Sequence, residues 1–186
     1  MGAAGSGFGP RRFEESTMTL ENIANTLCEH PFLQGFAAEH IDRLAAMASE
    51  VRFGKGELIF REGDESSFFY LLLAGKVALE TNAPGRIVRI VTLGPGEELG
   101  WSSVTPSHSK QFQARSLEAT EALAFDGVRL QHACDEDCRF GYTLMTAMLR
   151  VVASRLQSTR LQLLDMYSPL SGAGPRPAAA SQAAQQ

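Results

Sequence analysis

The sequence lacks the features that would tie it to a membrane, an oxidising compartment or a polyanion. No apolar run approaches the roughly 20 residues that cross a bilayer. The opening Met1–Pro10 stretch, MGAAGSGFGP, consists of small residues and glycine without the apolar centre of a secretion signal, so no leader is expected. Cysteine is scarce: Cys28, Cys134 and Cys138 make an odd number at no framework spacing, which points to a reducing cytoplasm. Positive charge is not in excess either. Seventeen Lys and Arg against 21 Asp and Glu leave a net charge of −4, so no global field draws in nucleic acid or an anionic membrane, although a local basic patch stays open. Gly-x-Ser-x-Gly, a P-loop, His-Glu-x-x-His and the His-x-His pair of a cupin metal site are all missing, and a non-enzymatic protein is expected.

What is present divides into segments of different period. Residues 1–17 are too rich in glycine to order themselves, and residues 168–186 form a Pro-, Ala- and Gln-rich low-complexity tail. Between them, residues 18–167 read as one domain. Leu20, Ile23 and Leu27, then Ile41, Leu44, Ala45 and Ala48, have helical spacing and predict helices over 19–30 and 38–50 within the segment 18–50. From 51 to 126 the pattern turns to short β-rich runs (58–60, 68–73, 76–80, 87–93, 111–114 and 122–125) broken by Gly and acidic residues, as in a barrel, roll or sandwich. From 127 to 167 the helical period returns, with a short helix over 128–134 and a long one over 140–167. No internal repeat is read.

The most specific signal is Phe53-Gly54-Lys55-Gly56-Glu57-Leu58-Ile59-Phe60-Arg61-Glu62-Gly63-Asp64, followed by Phe69-Tyr70-Leu71-Leu72-Leu73-Ala74-Gly75-Lys76-Val77. Each apolar run is closed by a glycine turn. With Leu93-Gly94-Pro95-Gly96-Glu97-Glu98-Leu99-Gly100 and the segment Ala114–Asp126, this order resembles the cyclic-nucleotide-binding domain family, the module of catabolite-activator-type regulators, gated channels and kinase regulatory subunits. The resemblance implies a mainly β fold: a double-stranded, jelly-roll-like β-roll with N-terminal helices and a long C-terminal dimerisation helix.

It also implies a ligand site, and there this sequence departs from the family. In the family a Glu after the last Gly binds the ribose 2′-hydroxyl, a short helix offers N–H groups to the cyclic phosphate, and an Arg pairs with that phosphate. Here Trp101 follows Gly100, and Lys110 stands where the Arg is expected. A shifted register would bring Glu98 to the ribose but misplaces Gly100. Lys keeps the charge without the two-pronged geometry. The candidate ligand residues are therefore Glu98, Leu99, Gly100, Trp101, Ser102, Ser103, Lys110 and Gln111, with Ser103 and Lys110 expected at the pocket rim. The candidate ligand is cAMP, cGMP or another nucleotide-like anion. In one reading Trp101 stacks on a flat ligand; in the plainer one it fills the pocket and nothing binds.

Met145, Leu149, Val152, Leu156, Thr159, Leu163 and Met166 alternate three- and four-residue steps, an a/d seam, and point to a homodimer made through Leu149, Val152, Leu156 and Leu163. A recognition helix is not expected in the Pro- and Ala-rich residues after Tyr167, so no DNA-binding domain is expected. The readings are a sensor that signals to an unidentified protein partner, a roll that serves only as an interaction or scaffold module, and a regulator reaching DNA through another surface. His132, Cys134 and Cys138 lack a recurrent zinc spacing, and no metal is expected. Arg115 is read as a solvated strand charge, and His30, His40 and His108 as surface or capping residues.

Overall fold

The computed structural model describes residues 18–105 and 109–167, so the two terminal segments, and His108 with them, lie outside the described residues. Helix α1, Leu20–Glu29, begins where the Thr19 side chain accepts from the Asn22 N–H and ends just before Pro31, which opens a 3₁₀ turn over Pro31–Leu33. Helix α2 covers Ala38–Met47. It stops short of the predicted residue 50 because Ser49 and Glu50 pair with Ala124 and Leu123, committing this stretch to a strand.

Eight antiparallel strands follow: β1 Ser49–Phe53, β2 Leu58–Phe60, β3 Phe68–Ala74, β4 Val77–Ala83, β5 Arg86–Leu93, β6 Glu98–Leu99, β7 Gln113–Ser116 and β8 Thr120–Asp126. They form two four-stranded sheets, ordered β1-β8-β3-β6 and β2-β7-β4-β5. One apolar cluster draws on all eight strands, from Val51 and Phe53 through Phe60, Tyr70, Leu72, Leu79 and Leu93 to Leu99, Ala114 and Ala124. This is the β-roll with flanking helices that the sequence predicts. Successive strand residues face opposite ways, so Phe69, Leu71, Leu123 and Phe125 leave the roll interior and are buried on the other face of the first sheet. There Phe69 packs between Phe32 and Phe125, with ring centroids 5.3 and 6.2 Å away.

Two turns of the roll are built alike. In Gly54-Lys55-Gly56-Glu57 the Glu57 carboxylate accepts the Gly54 N–H at 2.7 Å, and in Gly94-Pro95-Gly96-Glu97 the Glu97 carboxylate accepts the Gly94 N–H at 2.8 Å. The likeness is confined to these four-residue turns and is not a repeat of a structural unit. Strand β7 starts at Gln113 rather than 111, because the Lys110 backbone is taken up by the loop after β2: its N–H donates to the Asp64 carbonyl and its carbonyl accepts from Gly63.

Helix α3, Gly127–Glu136, is capped by the Asp126 carboxylate, which accepts from the Arg129 N–H. Helix α4, Cys138–Tyr167, starts two residues before the predicted 140, because the Asp137 carboxylate accepts from the N–H groups of Arg139 and Phe140. These two bonds, Phe140's first, hold the Asp137 carboxyl below its ordinary range. The described chain divides into two compact units, one ending at Met148 and the other beginning at Leu149, so the boundary falls inside α4. No helix among the described residues is long and apolar enough to cross a membrane.

Several side chains read as solvated are not. His40 is buried, its Nε2 3.5 Å from Asp137 and its ring edge-on to Phe140. His30 does cap the 3₁₀ turn, accepting from the Phe32 N–H, but it too is buried, and burial lowers its pKa. Arg115 is half-buried. It donates through Nε to the buried Glu80 carboxylate at 3.3 Å and through Nη1 to the Gly56 carbonyl at 3.0 Å, while Gln113 donates to Glu80 at 2.9 Å. Removing one partner of a buried ion pair leaves the other charge uncompensated. Arg115→Ala is therefore expected to cost about 3 kcal/mol in urea unfolding, and Glu80→Gln in the same chain should recover most of that loss.

Candidate functional site

After β6 the chain passes through Gly100 into a 3₁₀ turn, Trp101–Val104. Gly100 sits at φ 84°, in the left-handed region. A Cβ there would lie 2.4 Å from the Phe68 carbonyl oxygen and 3.2 Å from Lys110 Nζ, so both conformation and space demand glycine. The same approach brings Gly100 and Lys110 together across ten positions of sequence.

Lys110 is the unusual member of the site. Only 5% of it is exposed. Its Nζ donates to the Phe68 carbonyl at 3.3 Å and lies 4.4 Å from the centroid of the Phe60 ring, inside the aromatic part of the roll core. Burial dominates its titration and lowers the pKa to about 8, against the opposing pull of Asp64. The expected place at a pocket rim is thus corrected: the side chain has folded inward along its four-carbon stem.

Ser103 is also buried rather than at the rim, with 2% exposed, and its Oγ has no hydrogen-bond partner among the described residues. Ser102 is held by a 2.7 Å hydrogen bond between its hydroxyl and that of Ser66. Trp101 is half-buried, so it is no deep plug of the roll. Leu99 faces Tyr70 within the roll core, whereas Glu98 pairs with Leu71 and so faces away from the interior. The shifted register that would use Glu98 at an interior site is not supported by this geometry. Gln111 is exposed.

The 3₁₀ turn is clamped from behind. The Ser103 carbonyl accepts from Gln131 of α3 at 2.9 Å. Gly127, the first residue of α3, approaches so closely that a Cβ would lie 2.5 Å from that same oxygen. Ser66, Gly127 and Gln131 carry no signal in the linear sequence, and Phe60 is read only as a strand residue, because each acts here through a neighbour distant along the chain. Among the described residues no cluster of three His, Cys, Asp or Glu is placed to hold a metal ion. Of the seam residues, Leu149 and Leu156 are 68% and 70% exposed and Val152 is less so, while the Leu163 side chain lies outside the described residues.

The buried ammonium fixes a pH dependence. Because the folded-state pKa is about 8 against an ordinary 10.5, the unfolded chain binds more protons between these values, and Lys110 makes stability rise with pH through that window. Below pH 8 the full penalty is present, about 3 kcal/mol. Lys110→Met is expected to raise stability at pH 7 by an amount of this order and to flatten the rise between pH 8 and 9.5, as read by urea unfolding.

Comparison with known proteins agrees with this architecture. The sequence profile described as Cyclic nucleotide-binding domain matches residues 50–137. A CRP-like cAMP-activated global transcriptional regulator of Mycobacterium tuberculosis (strain ATCC 25618 / H37Rv) is 27% identical over 134 residues, which is 72% of this chain and 58% of that protein. The chain thus spans less than two thirds of this curated relative. The Thermus thermophilus catabolite activator protein is 26% identical at a TM-score of 0.60, covering 73% of this chain and 62% of that one. A cyclic nucleotide-binding domain from Methylobacillus flagellatus KT, 17% identical, shares the fold at a TM-score of 0.68 over 79% of this chain and 83% of its own. Residues 50–137 thus match the cyclic nucleotide-binding domain family.

Proposed function

We propose that the chain is a non-enzymatic sensor that works as a homodimer, holds a small anion beside Lys110, and passes the occupied state to a protein partner. The observation that carries this reading is the Lys110 ammonium, a buried charge with, among the described residues, a single hydrogen bond, to the Phe68 carbonyl. An ammonium has three donors. A buried charge that Asp64 offsets only in part is costly, and that cost falls when a further anion enters. The unpartnered Ser103 hydroxyl offers a further donor in the neighbouring turn. The family match supports a cyclic nucleotide or related phosphate as the anion. The loss of a ribose-binding carboxylate and of a two-pronged Arg, both implied by the family resemblance, supports weak affinity for cAMP itself.

The clamp on the 3₁₀ turn supports the signalling half of the reading. A ligand that shifts Ser103 acts on Gln131 and Gly127, and hence on α3, which leads directly into α4. Exposed Leu149, Val152 and Leu156 on successive turns of α4 support a second copy as the partner of that helix.

Two measurements test the proposal. In a thermal-shift and calorimetry panel of cAMP, cGMP, cyclic dinucleotides and inorganic phosphate, at least one anion is expected to stabilise the wild type and none to stabilise Lys110→Met. Deprotonation of the ammonium should weaken binding roughly tenfold or more between pH 7 and 9.5, given the pKa of about 8. A panel with no stabilising anion leaves the interaction-module reading in its place. Light scattering should show a wild-type dimer and a Leu156→Glu monomer, since the new carboxylate would face an apolar partner; a wild type that is monomeric at micromolar concentration removes the dimer.

A further inference from the structure

We infer that a flank of α4 outside its a/d seam seats a partner protein, and that this partner presents an acidic, amphipathic helical segment there. The inference rests on the sensor reading only in that this reading calls for a protein partner, and it names the partner's chemistry. Leu149, Val152 and Leu156 supply the seam for a second copy. A second stripe runs along the same turns. Arg150, Ala153, Gln157, Leu161 and Leu164 follow one another in steps of three and four residues, and Arg160 lies one turn before Leu164. All six are exposed, Leu161 by 55% and Leu164 by 53%. With Leu149 and Leu156 at a, these two leucines fall at outer positions, which a two-stranded coil leaves in water.

The charge on this flank is of one sign. Helix α4 carries Arg139, Arg150, Arg155 and Arg160 against one carboxylate, Asp165. The dipole of a helix favours cations near its C-terminus, but that effect fades within the last turn, and Arg150 and Arg160 come before it. No Asp or Glu stands three or four residues from either arginine, so α4 supplies neither with an ion pair on its own face. A second copy paired along the seam brings the same stripe, and so adds arginines and no acid. The complement is a segment that carries carboxylates and covers Leu161 and Leu164. Arg150 and Arg160 are ten residues apart, or about 15 Å along the axis, a span that one face of a short helix matches. Charges at the rim of such a contact select the partner and speed its arrival. A lipid surface fits less well, because lipid binding scales with the apolar area buried and this flank offers two leucines.

Two labelled peptides of about 20 residues test this by fluorescence anisotropy on the full chain, each an amphipathic helix with one leucine stripe, flanked by Glu in one and by Lys in the other. The Glu peptide is expected to bind at least about tenfold more tightly than the Lys peptide, and to weaken as salt rises to about 0.3 M. Arg150→Glu with Arg160→Glu should reverse that order and leave the mass by light scattering unchanged, since both positions lie off the seam. Leu161→Ser with Leu164→Ser should weaken the Glu peptide about tenfold. Leu149→Ser with Leu156→Ser, which strips the seam, should leave it bound. Equal affinity for the two peptides, or an order that survives the double arginine exchange, overturns the inference. A Glu peptide released by the seam variant and not by the arginine exchange sits on the seam and overturns it as well. Vesicles of phosphatidylcholine and phosphatidylserine in equal parts are the lipid probe: binding there that the arginine exchange removes, with no binding of the Glu peptide, replaces the protein with a membrane. Failure of the Glu peptide on a chain that an anion does stabilise removes this surface and leaves the sensor. Binding of the Glu peptide to a chain that no anion stabilises upholds this surface on an interaction module.

Discussion

Lys110 holds a buried charge that Asp64 and the Phe68 carbonyl balance only in part, and the neighbouring structure packs closely around it. Phe68 turns its carbonyl to the ammonium, Phe60 lies beneath it, and Gly100 is required to be glycine partly because the ammonium stands 3.2 Å from where a side chain would begin. A methionine, one heavy atom shorter, would fill most of the space without the penalty of a buried charge. A lysine there therefore lowers the stability of the roll.

The rest of the fold keeps this site local. Both sheets contribute to one apolar core, and Phe32 of the 3₁₀ turn packs on the outer face of the first sheet against Phe69, which in turn meets Phe125. Ionic groups that would compete for the ammonium are turned outward by strand alternation or are held in turns. Two carboxylates, Glu57 and Glu97, close matching Gly-x-Gly-Glu turns, and a third, Glu80, is engaged on the outer face of the second sheet.

The sequence shows the fold well because most of its signals are periodic or local. The 58–60 strand coincides with the structure, and the roll's turns announce themselves through glycine. The errors arise where a distant partner overrides a local tendency: the end of α2 is taken by pairing with β8, and the start of β7 is delayed by the backbone bonds of Lys110. The site is less legible for the same reason. Lys110 and Trp101 stand out as departures from a family pattern, but nothing in the chain announces that Lys110 is buried, that Ser66 bonds Ser102, or that Arg115 serves Glu80. Each of these depends on side chains meeting across strands far apart in sequence. The repeated turn is the opposite case: the letters are present at Gly54 and Gly94, and only the shared hydrogen bond shows that they form the same object.

The double contact on the Ser103 carbonyl has a consequence for how this chain can be altered. The oxygen that accepts from Gln131 is also the oxygen against which Gly127 is pressed, so one peptide unit serves both as a wall of the candidate site and as the seat of α3. The turn and the start of α3 therefore cannot be altered separately at this oxygen: a substitution at Gly127 or Gln131 displaces the same peptide unit that closes the 3₁₀ turn.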